Sequence, residues 1–138
     1  MPNSLSALFV FVFFAFPPQQ TTSPTATAAT RVIPLEAASL VNPIKATPGS
    51  RTLAKNRYNI DCAMCHGANG DGKGDPGIIS DMSLTMMDFT SPQTLKTRTD
   101  GEIFYIIKNG QGKMPSEDRV KTDGIWNLVV YVRSLSKK

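Results

Sequence analysis

The sequence predicts an all-α domain of few short helices joined by long loops. Three observations lead there. Apolar residues recur at helical spacing in two segments near the C-terminus and again just before Asp61. Nothing alternates with the period of two that a half-buried strand requires. The stretch from Asn69 to Leu95 reads as loop, with five Gly or Pro between Gly70 and Gly77 alone.

Taken in order, the first element is Leu5 to Phe16 (LSALFVFVFFAF), an unbroken run of apolar or small residues. As a helix it reaches about 18 Å, against about 30 Å of hydrocarbon, so it cannot span a bilayer. Its length suits the apolar region of an export signal, and Ala26-Thr27-Ala28 offers small-residue cleavage chemistry downstream, although Met1 to Ser4 lacks the usual basic start. Residues 1–28 are therefore expected to be a signal peptide. Residues 29–48, rich in Pro, Thr and Ala, are expected to be linker, because such a composition buries too little apolar surface to offset ordering entropy. The folded domain is expected over 49–138.

Within it, Leu53, Ala54 and Tyr58 share one face of a helix expected between Ser50 and Asn59. Thr99-Asp100-Gly101-Glu102 has capping-box spacing ahead of Ile103, Phe104, Ile106 and Ile107, with Asn109-Gly110 as the stop. A last helix starts at Thr122 or Asp123, and Ile125, Leu128, Val129, Val132 and Leu135 form its apolar stripe.

The formal charge of +4 is unevenly placed. Asp61 to Thr90 holds five acids and one base, whereas Ser91 to Lys138 holds nine bases and five acids. The bases are scattered, with no basic stripe carrying interleaved aromatics, which argues against nucleic acid as a partner.

Both cysteines and the single histidine lie in five consecutive positions, Cys62-Ala63-Met64-Cys65-His66. A disulfide across so small a loop would restrain little chain entropy. A thioredoxin-like dithiol belongs after a strand, and no strand pattern precedes Cys62. Structural zinc asks for four ligands, and this chain offers three. The remaining chemistry is Cys-x-x-Cys-His, which attaches one haem c through two thioethers and presents the next residue to iron. Cys62 and Cys65, a helical turn apart, reach two edges of one porphyrin; His66 is the candidate iron ligand; and Gly67 lets the chain turn away without a side-chain clash.

With one histidine, the second ligand must come from methionine. Met64 sits on the same side as His66. Met82, Met86 and Met87 lie in a flexible stretch, where filling a core is the commoner task. Met114 is favoured because Gly110 and Gly112 permit close backbone approach and Pro115 fixes φ while removing a donor. The Met82 to Met87 group stays as its rival.

From Ser50 to Leu135 the chain resembles the class I, monohaem c-type cytochromes. YNIDCAMCHGANGDGKG is similar to their haem-attachment segment, KNGQGKMPS to their methionine loop and DGIWNLVVYVRSL to their C-terminal helix. The resemblance implies the class I cytochrome c fold, wrapped around one covalent haem packed by Ile78, Leu84, Phe89, Phe104 and Trp126. It implies a crossing of the first and last helices near Ala54, Met114 as the axial ligand, and a proline carbonyl, Pro76 being the nearest, as acceptor for the His66 imidazole.

The expected function is an exported electron carrier, in the bacterial periplasm or an equivalent compartment, that is not an enzyme. Its partners would be a redox-protein donor and acceptor, with Lys108, Lys113, Arg119 and Lys121 available to orient an acidic one. Two strong ligands leave iron no open position, so no small-molecule substrate is expected. Two alternatives stand beside this: a docked relay subunit of a membrane respiratory complex, which MMDFTSP and TDGEIFYIIKNG resemble, and a haem enzyme or gas-binding protein with a displaceable sixth ligand.

Overall fold

The computed structural model describes residues 32–136. The expected signal segment, Leu5 to Phe16, and the Ala26-Thr27-Ala28 site lie outside them. Six helices and no strand occur among the described residues: α1 (Leu35–Ala38), α2 (Pro48–Asp61), α3 (Ala63–His66), α4 (Pro76–Asp81), α5 (Asp100–Asn109) and α6 (Thr122–Leu135). None is long and apolar enough to cross a membrane.

Local chemistry sets the helix ends. α2 starts two residues earlier than the apolar spacing predicts, because Thr47 and Ser50 cap each other's backbone N–H groups at 3.1 and 3.0 Å and Pro48 occupies the first helical position. At α5 the expected capping box is present: the Thr99 hydroxyl accepts from Glu102 N at 3.1 Å, and Glu102 accepts from Thr99 N at 2.7 Å. α6 runs from Thr122 as its periodicity predicts.

The principal helix packing is α2 across α6. Ala54 is 3% exposed at this crossing, small enough to let the two backbones approach. Tyr58, Ile125, Leu128 and Val129 are the largest side chains closed off from water, each worth about 1.5–3 kcal/mol of burial where fully apolar. α5 adds Ile103, Phe104 and Ile107, with Phe104 stacked on Trp126 at 4.1 Å between centroids.

Three expectations need correction. Leu53 does not share the buried face of α2; it is 72% exposed, one residue and about 100° of helix away from Ala54. The loop expected over 69–95 contains α4, because Asp75 caps Ile78 N at 3.0 Å and Pro76 opens the helix behind it. Inside the stretch expected to be linker, α1 lies against α5. The Thr99 hydroxyl donates to Ala38 O at 2.7 Å, and Asn42 Nδ2 donates to Trp126 O at 3.2 Å. Composition signals low apolar burial but not these backbone-directed hydrogen bonds.

Candidate haem-binding site

Cys62 ends α2 and begins α3, and its carbonyl accepts from both Cys65 N at 3.1 Å and His66 N at 2.9 Å. That one turn brings Cys62, Cys65 and His66 together. Both cysteines carry free thiols and are half-buried. Burial first, then the Asp61 and Glu117 carboxylates, pushes the Cys62 thiol up to about 12. Thiolate at Cys62 is therefore scarce at neutral pH, which makes it a poor attacking thiol.

Burial also holds the His66 imidazole below its ordinary range, so it is neutral at pH 7, the form that binds a metal. Phe89 stacks on it at 4.8 Å between centroids. The buried Nδ1 has no hydrogen-bond partner in the polypeptide. The carbonyl expected of Pro76 does not meet it, since Pro76 is committed to the first turn of α4.

The loop after the cysteines folds back over their turn. Gly67, at φ +78°, redirects the chain as expected, and a Cβ there would fall 2.3 Å from Asp71 Oδ1. Asp75 N donates to Met64 O at 2.7 Å, and Gly72 N donates to His66 O at 2.9 Å. Gly74 passes so close that a Cβ would sit 2.2 Å from Met64 O and 2.5 Å from Cys65 O. Tyr58 anchors the same corner from inside the core, its hydroxyl donating to Gly67 O at 3.0 Å. Burial raises the Tyr58 hydroxyl well above the usual phenol range and keeps it a donor. The sequence pattern places Tyr58 only on an apolar face, where a Tyr rather than a Phe is the signal of a buried polar contact.

Met114 closes a tight turn, with Gln111 N to Met114 O at 3.1 Å and Met114 N to Gln111 O at 3.0 Å. Gly110, at φ +74°, lies against it, and a Cβ there would fall 2.5 Å from Met114 O. Gly112 serves the turn alone: its φ is +59°, and nothing crowds it. Met114 is half-buried against the same core cluster that borders Cys62 and Phe89. Its rivals Met82 and Met87 are 41% and 47% exposed, Met64 is 54% exposed, and Met86 is half-buried beside Gly72.

These residues fit haem c. Two thiols share a turn, and a half-buried neutral imidazole keeps one closed-off nitrogen unmet by protein, an arrangement that needs a partner outside the polypeptide. A thioether is held in a hydrogen-bonded turn at the edge of the same core. Among the described residues no group of three or more His, Cys, Asp or Glu is arranged to hold a bare metal ion.

Comparison with solved structures gives the same architecture. A chain of the Kuenenia stuttgartiensis reducing HAO-like protein complex Kustc0457/Kustc0458 is 25% identical with a TM-score of 0.59, over 72% of this chain and 49% of that one. The present chain thus spans about half of that neighbour's length. The KustC0563 c-type cytochrome is 24% identical with a TM-score of 0.52, over 61% of this chain and 98% of its own, a likeness in fold. No curated protein sequence matches significantly. Residues 51–132 match the family model described as cytochrome C oxidase, cbb3-type, subunit III, a span that includes the cysteine-histidine turn and Met114. With more than half of its length inside that match and a helical fold shared with c-type cytochromes, the chain belongs to this family of haem c electron-transfer proteins.

Proposed function

We propose that this protein is an exported monohaem cytochrome c that passes single electrons between redox proteins, with Cys62 and Cys65 holding the haem and His66 and Met114 as the two iron ligands. The observation that carries the reading is the α3 turn, where two unpaired thiols and a half-buried neutral imidazole are presented together. Haem c held there supplies a one-electron iron couple. The chain's own residues do the rest. Cys62 and Cys65 would fix the position of the group, Phe89 and the core would exclude water from the His66 side, and the Gln111–Met114 turn would offer the thioether. A thioether ligand in an apolar setting favours the reduced state, which places the potential toward the upper part of the haem range. Export is supported by the Leu5 to Phe16 segment and by the family, whose members are typically extracytoplasmic.

Of the four bases expected to steer an acidic partner, three have partners within the chain. Lys108 lies over the Phe104 ring at 5.7 Å, the Lys113 ammonium donates to Met82 O, and Arg119 pairs with Asp61 at 3.0 Å. Only Arg119 has its charge offset by a carboxylate; the Lys108 and Lys113 ammonium groups keep theirs, so steering of an acidic partner predicts electron-transfer rates that fall as salt rises.

A second reading, the docked relay subunit, is favoured by the subunit description of the matching family and by a neighbour that belongs to a redox complex. Isolation from native membranes separates the two: a free carrier elutes alone, and a relay subunit elutes with its complex. The ligand assignment is tested by Met114→Leu. Loss of the methionine-to-ferric-iron absorption band is expected, and its survival would overturn the assignment. Ready carbon monoxide binding by the reduced wild type at neutral pH would instead favour a displaceable sixth ligand.

A further inference from the structure

The methionine turn is tied to α5 on one side, where Glu117 N donates to Ile107 O at 2.9 Å. Its other tie reaches across the molecule. Arg119 Nη2 donates to Asp61 Oδ1 at 3.0 Å, joining the segment that follows Met114 to the residue immediately before Cys62. Asp61 Oδ2 accepts from Arg57 Nη1, also at 3.0 Å, and Glu117 Oε1 stands 3.6 Å from Arg119 Nε. Two acids and two guanidiniums alternate in one chain of contacts. The acidic side chains are nearly closed off, at 10% and 11% exposure, while Arg119 is 71% exposed.

A carboxylate in the last turn of a helix is disfavoured by the helix dipole, so Asp61 would be a poor choice on α2 for stability alone. Its two guanidinium partners account for it, and only one of them is local. Arg57 lies four residues back on α2, whereas Arg119 is 58 residues ahead, on the segment carrying Met114.

We propose that Arg119 and Asp61 form a latch that keeps the methionine turn closed on the haem site, acting as positioning residues for the Met114–iron bond. The inference rests on the His66/Met114 reading above. Displacement of Met114 by another ligand requires the 111–121 segment to swing away, and that motion breaks the Arg119–Asp61 pair. Removing the pair lowers the cost of opening without touching either ligand.

The test uses the holoprotein and reads exchange of the methionine ligand for free imidazole in the ferric state. Arg119→Gln should bind imidazole about fivefold more tightly, the scale of one partly exposed ion pair, with its methionine absorption band titrating away correspondingly earlier. Arg119→Lys, which keeps the charge and loses the fork, should recover part of the difference. The Asp61→Asn/Arg119→Gln double variant should differ little from Arg119→Gln, because one interaction is lost in both. Unchanged imidazole affinity in Arg119→Gln, or effects of the two substitutions that simply add, would overturn the latch. Met114→Leu, run in parallel, distinguishes this from failure of the underlying reading. If its band is lost while Arg119→Gln behaves as wild type, the latch alone falls; if its band survives, the ligand assignment falls and takes the latch with it.

Discussion

The α2–α6 crossing and the cysteine-to-methionine side of the molecule are built on opposite terms. At the crossing every large group meets protein: Ile125, Leu128 and Val129 are at most 1% exposed, and Tyr58 packs on Tyr131 at 5.2 Å while its hydroxyl reaches Gly67 O. On the other side the groups are left half-served. His66 Nδ1 is buried without a partner, two thiols are free, and three methionines are more than 40% exposed. Half of the fold is complete as polypeptide, and the other half is shaped for something that the polypeptide does not contain.

The sharpest way to break that comparison is to withhold the cofactor. Replacing both proposed attachment residues, Cys62→Ser with Cys65→Ser, should abolish covalent haem, seen as a loss of one haem's mass and of colour. A domain of this size assembles a marginal core by itself. The variant should therefore lose its cooperative thermal transition. A sharp two-state melt in the colourless chain would show the α2–α6 half to be self-sufficient.

Leu128→Ala strikes the complete half instead. Truncating a fully buried leucine costs about 2–5 kcal/mol, so the melting temperature of the holoprotein should drop by many degrees while the spectrum of the remaining folded protein is unchanged. A spectral change at low temperature would mean that the two halves are not separable.

Tyr58→Phe tests the link between them. Losing the hydrogen bond to Gly67 O should cost about 1 kcal/mol near neutral pH. Its pH dependence carries a sign. Burial raises the Tyr58 hydroxyl above its ordinary value of 10.0, so the folded state favours the protonated form. That contribution is fully present below about pH 10 and is lost as pH climbs toward the raised folded value. Wild type should lose stability faster than Tyr58→Phe in alkaline denaturation; Tyr131, also raised by burial, stays common to both. Parallel curves would remove the assignment.

How much of this was legible beforehand divides along the same line. α5 and α6 were readable because their signals are local: a capping box at Thr99 and Glu102, and a stripe from Ile125 to Val132 whose members the structure buries. The cysteine-histidine turn was readable because its chemistry is contained in five positions. Asp61 with Arg57 follows from helical spacing, but Asp61 with Arg119 does not, since no local rule joins residues 58 apart. The close pass of Gly74 over Met64 O and Cys65 O and the folding of α1 onto α5 are likewise products of tertiary approach. A short helix such as α4 escaped because Gly and Pro punctuate it, although Asp75-Pro76 is itself a helix start.

The smallest expected effect comes from Leu53, and it concerns how such spacing is read. Leu53 and Ala54 are adjacent and both suit an amphipathic pattern, yet one is 72% exposed and the other 3%. On α2 the contact with α6 is narrow, centred on Ala54 and Tyr58, so a residue about 100° away stands in water. Ile60, 71% exposed, lies along the same outer face, seven residues further on. Leu53→Asn should therefore change holoprotein stability by no more than about 0.5 kcal/mol, as at an ordinary surface position, whereas a core leucine would cost several times that. Chemical denaturation of the two proteins side by side measures the difference. A loss comparable to Leu128→Ala would mean that the outer face of α2 is covered in solution, by a second copy or a partner, and that the helix is buried on two sides rather than one.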